Sequence, residues 1–306
     1  MRKACLNAVH DLARGDARVL YIGSDPGPGT LDKMRLEFPQ RFFIEGISEQ
    51  HVVGMAAGLA MEGYVPFVNT IATFLTRRCL EQVAIDVCLH KLPVRLIGNG
   101  GGVVYAPLGP THTAIEDIAL MRALPGMTVL CPADAVEMRQ AVEATRQAAG
   151  PVYIRLGKGG DPVITKEDEP AFDLGKGRVK RLGEDALIVS TGIVTHNALE
   201  AATKLEAQGV ACTVLHMPTV KPLDVETLLA HVQGKRLIVT AEEHVRAGGL
   251  GSAVLEALSD ASALSCPLVR LGLPDRYLHN YGSQAQHLKH HGLDGEGIAK
   301  SVVSTL

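Results

Sequence analysis

A lone carboxylate, Glu49, heads the segment SEQHVVGMAAGLAMEG (48–63), in which every residue from Val52 to Met61 is small or apolar. A helix with so little polar surface belongs inside a protein, and an unpaired charge carried in with it costs several kcal/mol. Ser48 is placed to cap that helix, and Glu49 falls in its first turn, at the positive end of the helix dipole. A first-turn glutamate is ordinarily solvated; the apolar run behind this one implies that it meets a partner inside.

Two other segments hold groups fit for chemistry. In NTIATFLTRRCLEQV (69–83), Phe74 and Arg77 are three residues apart. On a helix they share a face, an aromatic surface beside a cation. In GNGGGVVYAPLGPTHTAIED (98–117), a glycine-rich run leads into Pro110, Thr111 and His112 just ahead of an expected helix. An imidazole there can pass protons. Each has a plain alternative: Phe74 as core, His112 as a cap or loop residue. The GNGGG run lacks the GxGxxG or GxxxxGK[ST] spacing of a nucleotide-phosphate loop.

Such groups must be mounted on rigid elements, and the chain alternates β-branched runs with amphipathic stretches. Strands are expected at 19–23, 66–70, 93–98, 127–132 and 151–156, with helices from Glu49, near 75–90, at 113–123 and at 134–148. A polar, glycine-rich stretch at 157–177 breaks this rhythm. It resumes with strands at 186–192, 211–217, 236–243 and 267–272 and helices at 194–208, 223–232 and 249–258. The expected class is α/β, with two domains, 1–158 and 181–306, joined by a linker at 159–180; each domain is a mainly parallel sheet flanked by helices. In open sheets of this kind functional groups gather at the carboxyl ends of the strands, where all three candidate segments fall.

The remaining composition excludes whole classes. Of 306 residues, 46% are hydrophobic and 21% charged, which is ordinary globular usage and rules out disorder. A net charge of −3, with Lys and Arg scattered, offers no field for nucleic acid. No uninterrupted apolar run reaches the roughly 18 residues a membrane span needs, so the expectation is a soluble, cytoplasmic protein. Six dispersed cysteines without a CxxC pair argue for reduced thiols and against zinc or a disulfide framework. His287, His290 and His291 read as polar surface rather than a metal site.

Taken together and in order, SEQH with AAGLA, TFLTR, GPTHTAIED, MRALPGMTVLCPAD (121–134), GPVYIRL (150–156) and EEHVRAGGLGSAV (242–254) resemble the C-terminal half of the transketolase family, its pyrimidine-binding and C-terminal domains. The EQH and TFLTR segments are more similar to the 1-deoxyxylulose-5-phosphate synthases, and MRKACLNAV and YIGSD to transketolase proper. The resemblance implies a transferase that moves a two-carbon ketol unit with thiamine diphosphate and Mg²⁺ (or Ca²⁺). Glu49 would hydrogen-bond a ring nitrogen of the cofactor's aminopyrimidine, and Phe74 would stack on that ring. Arg77 would stand where transketolase proper has an aromatic residue and the synthases an arginine. His112 would relay protons at the reacting oxygen. Arg2 and Ser24, with Lys158 in place of an expected arginine and Arg155 nearby, would hold the distal phosphate of a sugar.

Departures from the family pattern are informative. Gly100 and Leu108 stand where a phosphate-binding histidine and a hydroxyl-reading aspartate are expected, which implies altered substrate specificity. The chain also lacks the GDG motif, with its later asparagines, that holds the diphosphate and metal. The resemblance therefore implies a split enzyme, completed by an N-terminal transketolase subunit carrying GDG in an α₂β₂ assembly with sugar (phosphate) substrates. Two alternatives stand beside it: a 2-oxo-acid-using carboligase or decarboxylase subunit, and a non-catalytic scaffold.

Overall fold

Buried, β-branched strands need cover on both faces, and the order of elements supplies it. The computed structural model describes residues 1–24, 31–166 and 169–306. Its strands are β1 (Val19–Gly23), β2 (Phe42–Ile44), β3 (Val65–Ile71), β4 (Arg95–Asn99), β5 (Thr128–Leu130), β6 (Val152–Leu156), β7 (Arg178–Arg181), β8 (Ala186–Ser190), β9 (Cys212–His216), β10 (Thr219–Lys221), β11 (Leu237–Val245) and β12 (Leu268–Leu273). They form one seven-stranded sheet, β10-β5-β6-β4-β3-β1-β2, and one five-stranded sheet, β12-β11-β8-β9-β7. Of the strand pairs among the described residues, only the edge pairs β10–β5 and β7–β9 are antiparallel. β1, β4, β6, β8 and β9 are buried at every residue, as doubly covered parallel strands are.

The nine expected strands are present, each within two residues at either end. Three short strands, β2, β7 and β10, lie outside that reading because three- and four-residue edge strands carry no clear alternation. The helix Arg2–Gly15 buries Cys5, Leu6, Val9, Leu12 and Ala13, a helical stripe interrupted in sequence by charges. Helices Gln284–His290 and Gly295–Val303 end the chain; Ser283 and Asp294 cap them. Ser48, in contrast, precedes its helix without capping it, since its hydroxyl donates to the Glu45 carbonyl at 2.7 Å.

β10 belongs by sequence to the second half of the chain yet forms the outer strand of the first sheet, with Thr219 opposite Leu130. One hydrophobic cluster runs through the seam, joining Val129 and Tyr153 to Val189, Leu215 and Met217. The expected linker is also tied down, although its residues 167 and 168 lie outside the described ones. Asp134 caps the helix Ala135–Ala144 through the amides of Val136 and Glu137. Its second oxygen accepts from Ile164 and Thr165 of that segment at 2.8 and 2.7 Å.

A buried polar cluster pins the halves together. Glu137, from the first, accepts from the Ala133 amide at 2.6 Å and from Arg178 at 3.0 Å, and its Oε2 lies 2.8 Å from His216 Nε2. His216 Nδ1 lies 2.9 Å from the Thr195 hydroxyl. Burial opposes the charge on Glu137, but His216, the Ala133 amide and Lys180 outweigh it and bring the carboxyl down to about 2. The folded value is thus below the unfolded one of about 4.3, so this stabilisation is complete above about pH 5 and lost as pH falls towards 2. Glu137→Ala is expected to lower unfolding free energy by about 3 kcal/mol at neutral pH. Its urea midpoint should also fall less steeply than wild type on acidification below pH 5, a difference read directly from paired denaturation curves.

Candidate functional site

The carboxyl ends of β1, β3, β4 and β6 lie side by side in the sheet. At the first two, Ser24 donates to the Thr70 hydroxyl at 2.6 Å, and Thr70 in turn faces Glu49 Oε1 at 3.4 Å. Glu49 opens the helix Glu49–Met61 and is only 2% exposed. Its partner is Arg78, whose Nη1 lies 2.5 Å from Glu49 Oε2. Ser24 therefore acts as a support for the carboxylate, through Thr70.

The segment expected as a regular helix near 75–90 is irregular. Residues Phe74–Arg78 and Val83–Cys88 form π-helical turns, separated by a short α turn at Leu80–Gln82. A π turn takes about one residue more than an α turn. Arg78, four residues on, lies over Phe74, with its Cζ 4.4 Å from the ring centroid. Arg77 turns the other way, placing Nε 3.2 Å from Glu116 Oε1 and donating to the Thr111 carbonyl at 3.2 Å. The contact with Glu116 has ion-pair distance without hydrogen-bond alignment, and both Glu116 oxygens are buried without a hydrogen bond. Burial accordingly raises the Glu116 carboxyl, with Arg77 opposing.

His112 closes the group: its ring meets Phe74 edge to face at 5.2 Å between centroids, and Nδ1 lies 2.9 Å from the Thr111 hydroxyl. A cavity of about 540 Å³ opens here, lined by Thr73, Phe74, Arg77, Arg78, Pro110 and Thr111 from the first half and Tyr277 and His279 from the second. Of the three residues singled out in the sequence, Phe74 lines the cavity, His112 meets it edge to face and Glu49 lies behind Arg78.

The other expected residues take different places. Arg155 is buried; its Nε donates to Asp117 at 2.7 Å, and Nη2 to the carbonyls of Glu243 at 2.9 Å and Ala114 at 3.3 Å. Burial works against its charge and Asp117 restores it. It bridges the two halves and does not line the cavity. Lys158 is exposed on the turn after β6. Arg2 is half-buried at the start of the first helix, close enough to Tyr21 for its charge to act on that phenol.

The glycine-rich run is a packing device. Gly100 has φ +72°, and a Cβ there would collide with the Tyr105 ring. Gly102, at φ +70°, lies so close to the Glu243 carboxylate that a Cβ would overlap it. That carboxylate accepts from the Val103 amide at 2.7 Å and from Gln284, and burial lifts it to about 7. Next to it His244 Nε2 accepts from the Ala119 amide at 3.2 Å, which leaves the proton on Nδ1 facing the Val245 carbonyl; burial lowers this ring to about 4. Leu108 is 56% exposed. Arg78, Thr70, Tyr277 and His279 escaped the sequence reading. The doubled arginine in TFLTRR was the one available signal, and spacing alone leaves both arginines able to reach Phe74.

Comparison with known proteins agrees along the whole chain. The model of "Transketolase, pyrimidine binding domain" matches residues 1–160, and that of "Transketolase, C-terminal domain" residues 175–298. The apulose-4-phosphate transketolase of Phocaeicola vulgatus has a subunit that is 36% identical over 303 residues, covering 99% of this chain and 96% of the relative. A 1-deoxy-D-xylulose-5-phosphate synthase of Synechococcus sp. is 40% identical over 301 residues, but this chain spans only 46% of it. A solved split-gene transketolase, described as an inactive β4 tetramer, superposes with a TM-score of 0.89 at 38% identity, covering 100% of this chain and 97% of its own.

The close approach at Gly102 has a measurable consequence. Gly102→Ala forces a methyl group against Glu243 in a left-handed backbone conformation and is expected to destabilise the fold by about 2–4 kcal/mol. Gly58→Ala, in helical backbone with nothing within 4 Å, is the control expected to be neutral or slightly stabilising in the same urea titration.

Proposed function

The chain belongs to the transketolase family, and we propose that it transfers a two-carbon ketol unit from a ketose (phosphate) to an aldose acceptor as the C-terminal subunit of a two-component enzyme. The observation that carries this is the convergence of Glu49, Phe74 and His112 beside one cavity. A buried carboxylate next to an aromatic face suits a flat nitrogen heterocycle, and thiamine diphosphate, the cofactor of this family, contains one. When bound, thiamine diphosphate supplies the carbanion chemistry that side chains lack.

Within that frame each residue has a task. Glu49 holds a proton against a ring nitrogen of the aminopyrimidine, and Thr70, backed by Ser24, keeps the carboxylate in position. Phe74 offers its face to the ring. His112 moves a proton to and from the substrate oxygen. Arg77, held by Glu116 and the Thr111 carbonyl, shapes the mouth. Arg2 and Lys158 are assigned to the distal anion of the substrate, whereas Arg155 is fully engaged at the seam and is not. Gly100, against which the Tyr105 ring packs, offers no cation where the family pattern expects a phosphate-binding histidine, which suits a sugar differing from the common pentose phosphates.

The diphosphate and its Mg²⁺ are assigned to a partner chain bearing GDG, in a cytoplasmic α₂β₂ assembly. The missing motif supports this, as does the relative from P. vulgatus, which is itself named as one subunit of a transketolase. Cysteines that are unpaired and mostly buried suit a reducing compartment.

Arg77 and the synthase relatives favour a second reading, a 2-oxo-acid donor. The pair reconstituted with a GDG-bearing chain decides between them. Turnover of hydroxypyruvate or ketose phosphates, with no carbon dioxide from pyruvate, is expected; pyruvate decarboxylation without ketose turnover would reverse the assignment. Glu49→Gln is expected to lower kcat at least about a hundredfold while sedimentation shows an intact assembly.

A further inference from the structure

The interaction that sequence reasoning left out is the one that occupies the site. Arg78 lines the cavity, whereas Glu49 does not, so the guanidinium lies between the buried carboxylate and the open space. It makes two contacts at once: Nη1 meets Glu49 Oε2 at 2.5 Å, and Cζ lies 4.4 Å from the Phe74 centroid. A guanidinium is a flat, nitrogen-rich cation whose edge donates to carboxylates and whose face stacks on aromatic rings. Those are the two contacts assigned above to an aminopyrimidine, on the same two residues.

From this geometry we propose that Arg78 is a side-chain plug that satisfies Glu49 and covers Phe74 until the aminopyrimidine of thiamine diphosphate displaces it. The inference rests on the cofactor reading above. The parts differ in exposure as a plug requires. Glu49 is 2% exposed and fixed by its helix, while the Arg78 side chain is 43% exposed. Its backbone is anchored, with the Arg78 carbonyl accepting from Gln50 Nε2 at 3.1 Å. Displacement therefore needs only rotation of a long side chain into solvent. The plug answers the desolvation problem of a buried carboxylate. It also makes the cofactor compete with an internal ligand, because a carboxylate oxygen held by Arg78 is not free for the ring nitrogen. Retained beside a bound ring, Arg78 would instead strengthen binding, and that opposite sign makes the idea testable.

The experiment uses the complex reconstituted with the GDG-bearing partner. It measures thiamine diphosphate affinity calorimetrically at fixed Mg²⁺ for wild type, Arg78→Ala and Arg78→Lys. It also measures melting of each without thiamine diphosphate. The expected result is binding about tenfold tighter for Arg78→Ala, together with a lower melting temperature of the cofactor-free complex. Arg78→Lys, which keeps the charge but not the flat stacking group, is expected between the two and serves alone where the alanine variant does not fold. Affinity unchanged or weakened by the substitutions overturns the plug, since Arg78 would then be a bystander or a cofactor ligand. Failure of the wild-type complex to bind thiamine diphosphate overturns the cofactor reading and the plug with it.

Discussion

A carboxylate carried into the interior at the start of an apolar helix sets the terms for the first half of this protein. Glu49 begins a helix whose Val52, Val53, Ala56, Ala57 and Ala60 pack under the sheet, and it lies on that same buried face, so the helix does not turn its first residue to water. The charge has to be answered locally, and three elements contribute: β3 supplies Thr70, β1 supports Thr70 through Ser24, and the π turn after β3 delivers Arg78. An arrangement with every polar partner in place rigidifies a site, whereas one partner short would leave a costly orphan.

The second half contributes a wall and a clamp. Tyr277 and His279 complete the cavity, but their position depends on the seam, where Asp117, Arg155, Glu243 and His244 interlock over the glycines of the 98–102 run. The seam is built from groups that do not themselves line the cavity. This separates two jobs that arginine does in the chain: Arg155 is buried and structural, while Arg78 is half-exposed and lies at the entrance.

Much of this was legible in the sequence, for identifiable reasons. Long buried strands announce themselves through β-branched runs, and the apolar helix behind Glu49 forced the question of its partner. Glu49, Phe74 and His112 could be singled out because packing alone does not require those types in those places. The identity of the partner was not legible, because on a helix both Arg77 and Arg78, three and four residues on, can share a face with Phe74, and only the fold shows that Arg78 takes the place. Arg155 was misjudged for another reason. A basic residue at a strand's carboxyl end resembles a ligand-binding group until the acid facing it, Asp117, is brought in by the fold from 38 residues away.

The exchange of β10 into the first sheet gives the chain a property that domain models do not suggest. Family descriptions divide it near residue 170, but a cut there would strip Thr219–Lys221 from β5. The first half would then present bare backbone amides and carbonyls along an apolar strand, the kind of edge that recruits other chains. Its two halves are thus one structural unit, in which the first sheet is closed only by a strand from the second.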